Sequence, residues 1–410
     1  MSISDLKSWA GRVTLSPLVV LLILVFYTLP GAIVRFAQAQ FFQLGAVLLF
    51  CFALRPTISK PVSDWSSPMR WLVLLALSQL LWVPVYGGFL FAIQQLILGY
   101  LFFEVCVMSE ISFNGMKKLL AFLVIPNFWC AVWQKMHWPS MMFLKSHFTW
   151  LPFNIELPPL YLMADTPNSI NGIWGAEAFQ VCAALFTLPF LLSMKTKWKW
   201  FFVVLLAMPF WWAKISFGRL ALAVMAGWYA WLKLTKREFA LCCAGGILFV
   251  WWWISAFEGG ISSADVGRFQ VWGGALKEMV THNRIFNGFG IGYYFLFGKE
   301  TTVHIFRHFY FFAQTHNEYL QAWFEMGIIG LAISIWFVGR TMWFSFIWKK
   351  DFKMLAITTA LIGVFVMAFG QPVFHMTNIN AFAIALYALM EVRKRKLGDY
   401  EFEQGDKYDN

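Results

Sequence analysis

"QTHNEYLQAWFEMGIIGLAISIWFVGRTMWFSFI", residues 314–347, decides the class of fold. From Tyr319 onward it is an apolar run longer than the ~20 residues that carry a helix across a bilayer. Its head is polar, with Gln314, His316, Asn317, Glu318 and Gln321 where the run begins. Polar groups at such a place are solvated, paired or used. Runs of this kind recur along the 410 residues, which are 60% hydrophobic and 13% charged. The pattern predicts an all-α polytopic membrane protein with about twelve transmembrane helices. The expected spans are residues 15–34, 38–54, 71–87, 89–108, 118–135, 174–194, 198–213, 218–233, 238–257, 319–347, 354–371 and 378–392. The first run follows Lys7 and Arg12 and has no small-residue cleavage site behind it. It therefore reads as a retained helix and not a signal peptide. No long polar linker divides the chain, so residues 1–410 are expected to form a single membrane domain.

The net charge of +11 invites a nucleic-acid partner, and the placement of the charges argues against one. The basic residues fall in short clusters between apolar runs. These are Arg55/Lys60/Arg70, Lys117/Lys118, Lys195/Lys197/Lys199, Lys233/Lys236/Arg237, Lys349/Lys350/Lys353 and Arg393 to Lys396. With the N-terminus inside, this threading puts every cluster in the cytoplasm, together with a tail over 393–410, as the positive-inside rule requires. Two long segments then lie outside, over 136–173 and 258–318. The first is rich in Trp, Phe, Met and Pro and suits headgroup depth. The six cysteines (Cys51, Cys106, Cys130, Cys182, Cys242 and Cys243) lie in apolar runs without zinc-ligand spacing and are expected to be reduced, packed thiols.

The outer face gathers the chemistry-bearing residues. Arg219 stands at the outer mouth of the eighth span, where a guanidinium either pairs with an anion or snorkels to lipid phosphates. Phe269, Trp272, Leu276 and Val280 have helical spacing, so a short amphipathic helix is expected over 268–280. Arg268 then sits near its N-terminal end, where free N–H groups also favour an anion. "GFGIG" (Gly288, Gly290, Gly292) follows and reads as a tight turn, without the strand–helix context of a nucleotide fingerprint. His304 and His308, with Arg307 between them, have the spacing of a metal pair on one helix face, but no third ligand is evident and no metal is expected. If a helix begins near His316, then His316 and Glu318 are about 200° apart around it, which excludes a dyad on that helix. Glu318, Gln321 and Glu325 share another face. Glu325 lies about two turns into the run and should be paired or face a hydrated cavity. Gly327 and Gly330 permit close helix packing. His316 is left at the outer mouth, able either to cap the helix or to take a proton at neutral pH.

"THNEYLQAWFEMGIIGL" resembles the His-Asn-x-x-Leu segment of the O-antigen ligase and O-antigen polymerase superfamily. "GRLALAV" resembles that superfamily's first arginine segment, and "GRFQVWGGALKEMVTHNRIFNGFGIGYY" resembles the stretch before its large periplasmic loop. The three occur in the superfamily's order over roughly residues 165–335. There are departures: Gly218 rather than Ser precedes Arg219, and Asn283 rather than Pro follows His282. The resemblance implies a GT-C-like fold in a bacterial inner membrane, with a large periplasmic loop containing short helices. It implies a metal-independent, inverting glycosyltransferase without a cofactor. The donor would be a glycan on undecaprenyl pyrophosphate, and the acceptor a lipid A-core sugar or another glycan. It implies His316 as general base, Arg219 and Arg268 on the pyrophosphate with Arg284 and Arg307 as reserves, and Asn317, Glu318, Gln321 and Glu325 in support. Ligase, polymerase and protein O-oligosaccharyltransferase share this donor chemistry. A polysaccharide transporter is the alternative of a different class. Against it, no internal hydropathy repeat is evident, and charged residues are scarce at mid-bilayer depth.

Overall fold

The computed structural model describes residues 67–81, 87–136, 173–174, 177–213, 215–241, 263–293, 303–305, 308–310, 315–371 and 377–408. These residues form helices α1 (Pro68–Ser78), α2 (Gly87–Met108), α3 (Phe113–Lys135), α4 (Glu177–Leu192) and α5 (Trp198–Trp212). They continue with α6 (Ser216–Lys233), α7 (Ser263–Thr281), α8 (Glu318–Ile347), α9 (Phe352–Met367) and α10 (Thr377–Tyr408). A two-stranded antiparallel hairpin, β1 (Val303–Ile305) and β2 (His308–Tyr310), lies between α7 and α8. The spans expected at 15–34 and 38–54, and most of 238–257, lie outside the described residues, as does most of the segment 136–173.

The helices form along long apolar runs, which continue through single internal prolines at Pro126 in α3, Pro189 in α4 and Pro209 in α5, and several of their ends carry local signals. Ser112 and Asp351 cap α3 and α9, their side chains accepting from Gly115 N at 2.9 Å and Met354 N at 2.7 Å. Helix α9 is the hub. It packs on α4, α6, α8 and α10. It is buried over most of its length, as an all-round apolar helix must be. The core continues through Phe186, Phe190 and Phe382, none of them exposed, with Phe186 and Phe382 stacked at 5.4 Å. Cys106, Cys130 and Cys182 are buried free thiols. On the other side the helices turn large apolar residues outward: Phe122, Trp129, Trp211, Ile335 and Trp343 are all more than half exposed. Among the described residues two helices, α3 and α8, are long and apolar enough to cross a membrane by length and composition.

Buried charge is compensated inside the bundle. Arg340 on α8 grips Glu391 on α10 through Nε to Oε1 at 2.9 Å and Nη2 to Oε2 at 3.1 Å. Arg70 and Glu104, both buried, approach to 3.7 Å between α1 and α2. A forked guanidinium–carboxylate contact is the geometry that makes burial of such a pair tolerable.

The structure departs from the sequence expectations in three places. First, α8 is not one continuous span. Gly327 has φ 68 and ψ −165, so a short helix over 318–326 meets a longer one over 328–347. About 20 residues remain after the break, a rise of ~30 Å, enough for a crossing by themselves. Glu325 therefore belongs to the short helix before the break and not to the interior of a straight span. Second, α7 begins at Ser263, not 268, because its first turn, Ser-Ala-Asp-Val-Gly, carries no large apolar residue in register with Phe269 and Trp272 except Val266 and so is faint to hydrophobic spacing. Arg268 lies more than a turn inside the helix and away from its free N–H groups. Third, His304 and His308 do not share a helix face. The hairpin pairs His304 with Phe309 and Ile305 with His308, so the two positions fall on opposite faces of the ribbon.

Candidate active site at the His316 turn

The polar head of α8 divides into residues that build a turn and one residue that the turn presents. Asn317 is the helix N-cap: its Oδ1 accepts from Tyr319 N at 3.1 Å and Leu320 N at 3.0 Å. Thr315 is fully buried. Its hydroxyl donates to Asn317 O at 2.7 Å, and its own N–H donates to Gln321 Oε1 at 3.0 Å. The Gln321 amide in turn donates to Glu325 Oε1 at 2.5 Å, which answers the question of what pairs that carboxylate. From outside, Trp272 Nε1 on α7 donates to Thr315 O at 2.8 Å. Glu318 N donates to Ala368 O at 2.9 Å, and the Tyr319 hydroxyl to Phe365 O at 2.9 Å. The turn is thus fastened to α7 and to the C-terminal end of α9.

His316 stands at the apex with φ 55, a left-handed conformation that few side chains adopt. It is outside the helix, so the 200° argument separating it from Glu318 does not apply. Burial and the Arg268 guanidinium push its imidazole down to about 4, while the Glu318 carboxylate pulls the other way. The imidazole is therefore neutral at pH 7, with a nitrogen able to accept a proton.

Arg268 reaches the site from α7, its Cζ 5.6 Å from the centroid of Phe217 at the start of α6. Arg219 lies two residues beyond Phe217, about 200° round the helix. Its Cζ is 5.6 Å from the ring of Trp211 on α5. Among the expected arginines that lie in the described residues, Arg268 is the one placed against His316. Arg219 leans toward an exposed tryptophan on the neighbouring helix. Arg284 is exposed beyond the far end of α7, ~20 Å along the axis from Arg268. Arg307 and Gln314 lie outside the described residues. The tripeptide Thr-His-Asn occurs twice, at 281–283 and 315–317, and its two histidines have different surroundings: His282, just past the end of α7, meets Glu278 at 3.0 Å.

Two features were not foreseen from the sequence. An aromatic rim surrounds the turn: Phe369, half exposed, lies 6.2 Å from Trp272 and 5.7 Å from Tyr319. The other is the clamp on the α8 break. Phe289 N and Gly290 N donate to Phe324 O and Glu325 O at 2.9 and 2.8 Å, and Ile328 N donates to Phe286 O at 3.2 Å. The buried Gln79 joins them, accepting from Ile291 N at 2.8 Å and donating to Glu325 O at 3.4 Å. The "GFGIG" turn therefore supplies the hydrogen bonds that the helix loses at Gly327. A lone glutamine in the run "LLALSQLLW" was the available signal for Gln79. Compared with known families and with curated proteins, the sequence matches no family model and no curated protein.

Proposed function

We propose that this chain is a multi-pass membrane glycosyltransferase of the O-antigen ligase or polymerase kind. It takes a glycan from undecaprenyl pyrophosphate on the periplasmic face of a bacterial inner membrane. The observation that carries this reading is the His316 turn, a neutral imidazole held in a left-handed conformation beside Arg268 at the mouth of an apolar bundle.

The chemistry follows from those two groups. The acceptor hydroxyl oxygen attacks the anomeric carbon of the donor sugar from the side opposite the leaving group. The carbon–oxygen bond to the pyrophosphate breaks, and its electron pair leaves with the phosphate. The hydroxyl proton passes to His316 as the new bond forms. Arg268 stabilises the charge that develops on the departing pyrophosphate. An anion bound there offsets the Arg268 charge, so the imidazole becomes more basic once the donor is in place. The rim of Phe369, Trp272 and Tyr319 offers faces for sugar rings or the polyprenyl chain. Arg219 takes part on this reading if the donor's phosphates extend toward α6.

The twelve-span threading, with both termini in the cytoplasm, belongs to the same proposal. The helices support it in one respect. The His316 turn, the α6 start and the α9 end lie together. The Asp351–Arg393 and Glu110–Lys396 ion pairs lie at the opposite end of α9, against the middle of α10.

The test is a reconstituted transfer assay. Purified chain is mixed with glycan on undecaprenyl pyrophosphate, with or without lipid A-core. Product on lipid A-core alone is expected of a ligase. A ladder growing on the carrier without lipid A-core assigns the polymerase reaction. Absence of product in both arms, with transport of the donor into vesicles, overturns the proposal in favour of a transporter.

A further inference from the structure

At the end of the bundle remote from His316, the loop between α2 and α3 meets the start of α9 and the middle of α10 around a cavity of about 150 Å³. Its floor is apolar, with Phe113, Ile357 and Leu389 all buried. Its rim is cationic, with Lys353, Arg393 and Lys396. Lys117 stands within electrostatic reach of Lys353, Lys118 and Lys195, so the rim continues into a wider basic surface. Two carboxylates temper it: Asp351 holds Arg393, and Glu110 meets Lys396 at 2.8 Å. Over the stretch from Arg393 to Lys396 the sequence is four consecutive basic residues.

We propose that this cavity binds the phosphate head of an anionic phospholipid from the cytoplasmic leaflet. Three observations converge on that occupant. The volume suits a small anionic group and excludes a folded partner. The floor is apolar, which suits the glycerol and first acyl carbons of a lipid and gives nothing to a free phosphate ion. The cations stand beside the α3 N-terminus, at the edge of an apolar helix long enough to cross a membrane, where anionic headgroups are found. Bound there, the lipid bridges α3, α9 and α10. The inference rests on the membrane reading and not on the transfer chemistry, so transfer activity and lipid binding fail independently.

The full chain in detergent is offered dioleoylphosphatidylglycerol, dioleoylphosphatidylcholine or inorganic phosphate, and bound lipid is counted by native mass spectrometry. Phosphatidylglycerol is expected to be retained in preference to phosphatidylcholine, with inorganic phosphate unable to displace it. Lys353→Ala/Lys396→Ala is expected to lower retention by about five-fold per cation removed. Lys353→Arg/Lys396→Arg keeps the charge and is expected to keep binding. Lys349→Ala/Lys350→Ala removes the same charge outside the cavity and is expected to leave retention near that of the parent. Equal retention of the two lipids, displacement by phosphate, or an equal loss in the Lys349/Lys350 variant overturns the proposal.

Discussion

At the scale of single residues, the site separates support from chemistry. The family resemblance grouped Asn317, Glu318, Gln321 and Glu325 as support for His316 without distinguishing their roles. The structure makes Asn317 a cap and Gln321–Glu325 a brace, and leaves His316 at the apex. That division could not be read from helical spacing, because His316 stands before the helix in a left-handed turn created by its neighbours' hydrogen bonds. Its low basicity is legible only in three dimensions, since it comes first from burial and then from Arg268, which is 48 positions away in the chain. A folded-state value of about 4 means that, with no donor bound, the imidazole stays neutral well into the acid range. The acid limb of kcat/KM is therefore expected near pH 4. Arg268→Gln removes a positive neighbour, so the limb should move up toward the ordinary histidine value while the rate falls. The sign also fixes stability. The neutral imidazole contributes fully above about pH 6.5, and its contribution is lost as pH falls from there through about 4. An acid limb that does not move in Arg268→Gln would separate the two groups.

At the scale of elements, the apolar runs located most of the described helices to within a few residues, because burial or lipid contact demands them. Missing from the sequence was the break at Gly327. A glycine inside a helical pattern is tolerated, and nothing local forces it to φ 68. The force is tertiary. A Cβ on Gly327 would lie 1.9 Å from Phe286 O, and one on Gly288 would lie 2.5 Å from Glu325 O. The bend also brings Gly330 against Ala322, with a Cβ there 2.7 Å from Ala322 O, although eight residues of straight helix span ~12 Å. Gly327→Ala is expected to lower the detergent melting temperature sharply, through left-handed strain of about 1–3 kcal/mol and the overlap added to it. Gly339→Ala, in the same helix with nothing within 4 Å, should be neutral or slightly stabilising. Equal melting of the two variants would contradict the clamp. The hairpin was also missed, although "TTVHIF" is rich in β-branched residues; the histidine spacing drew the reading toward a helix.

At the scale of the whole molecule, the described residues form a helical bundle with two chemically different ends. One end holds a histidine, an arginine and an aromatic rim on a braced turn. The other holds paired and clustered cations around Asp351 and Arg393. The charge clusters in the sequence anticipated the second end. The first depended on α6, α7, α8 and the end of α9 meeting, which no local pattern encodes. Catalysis by His316 at the first end is the central claim, and one comparison tests it most directly. Glycan transfer from undecaprenyl pyrophosphate is measured for the parent chain and for His316→Ala in the same proteoliposomes, after their melting temperatures are shown to match. Transfer by the parent, with a loss of about 100-fold or more in the variant, is the predicted result. Transfer by His316→Ala at the parent rate would contradict the account.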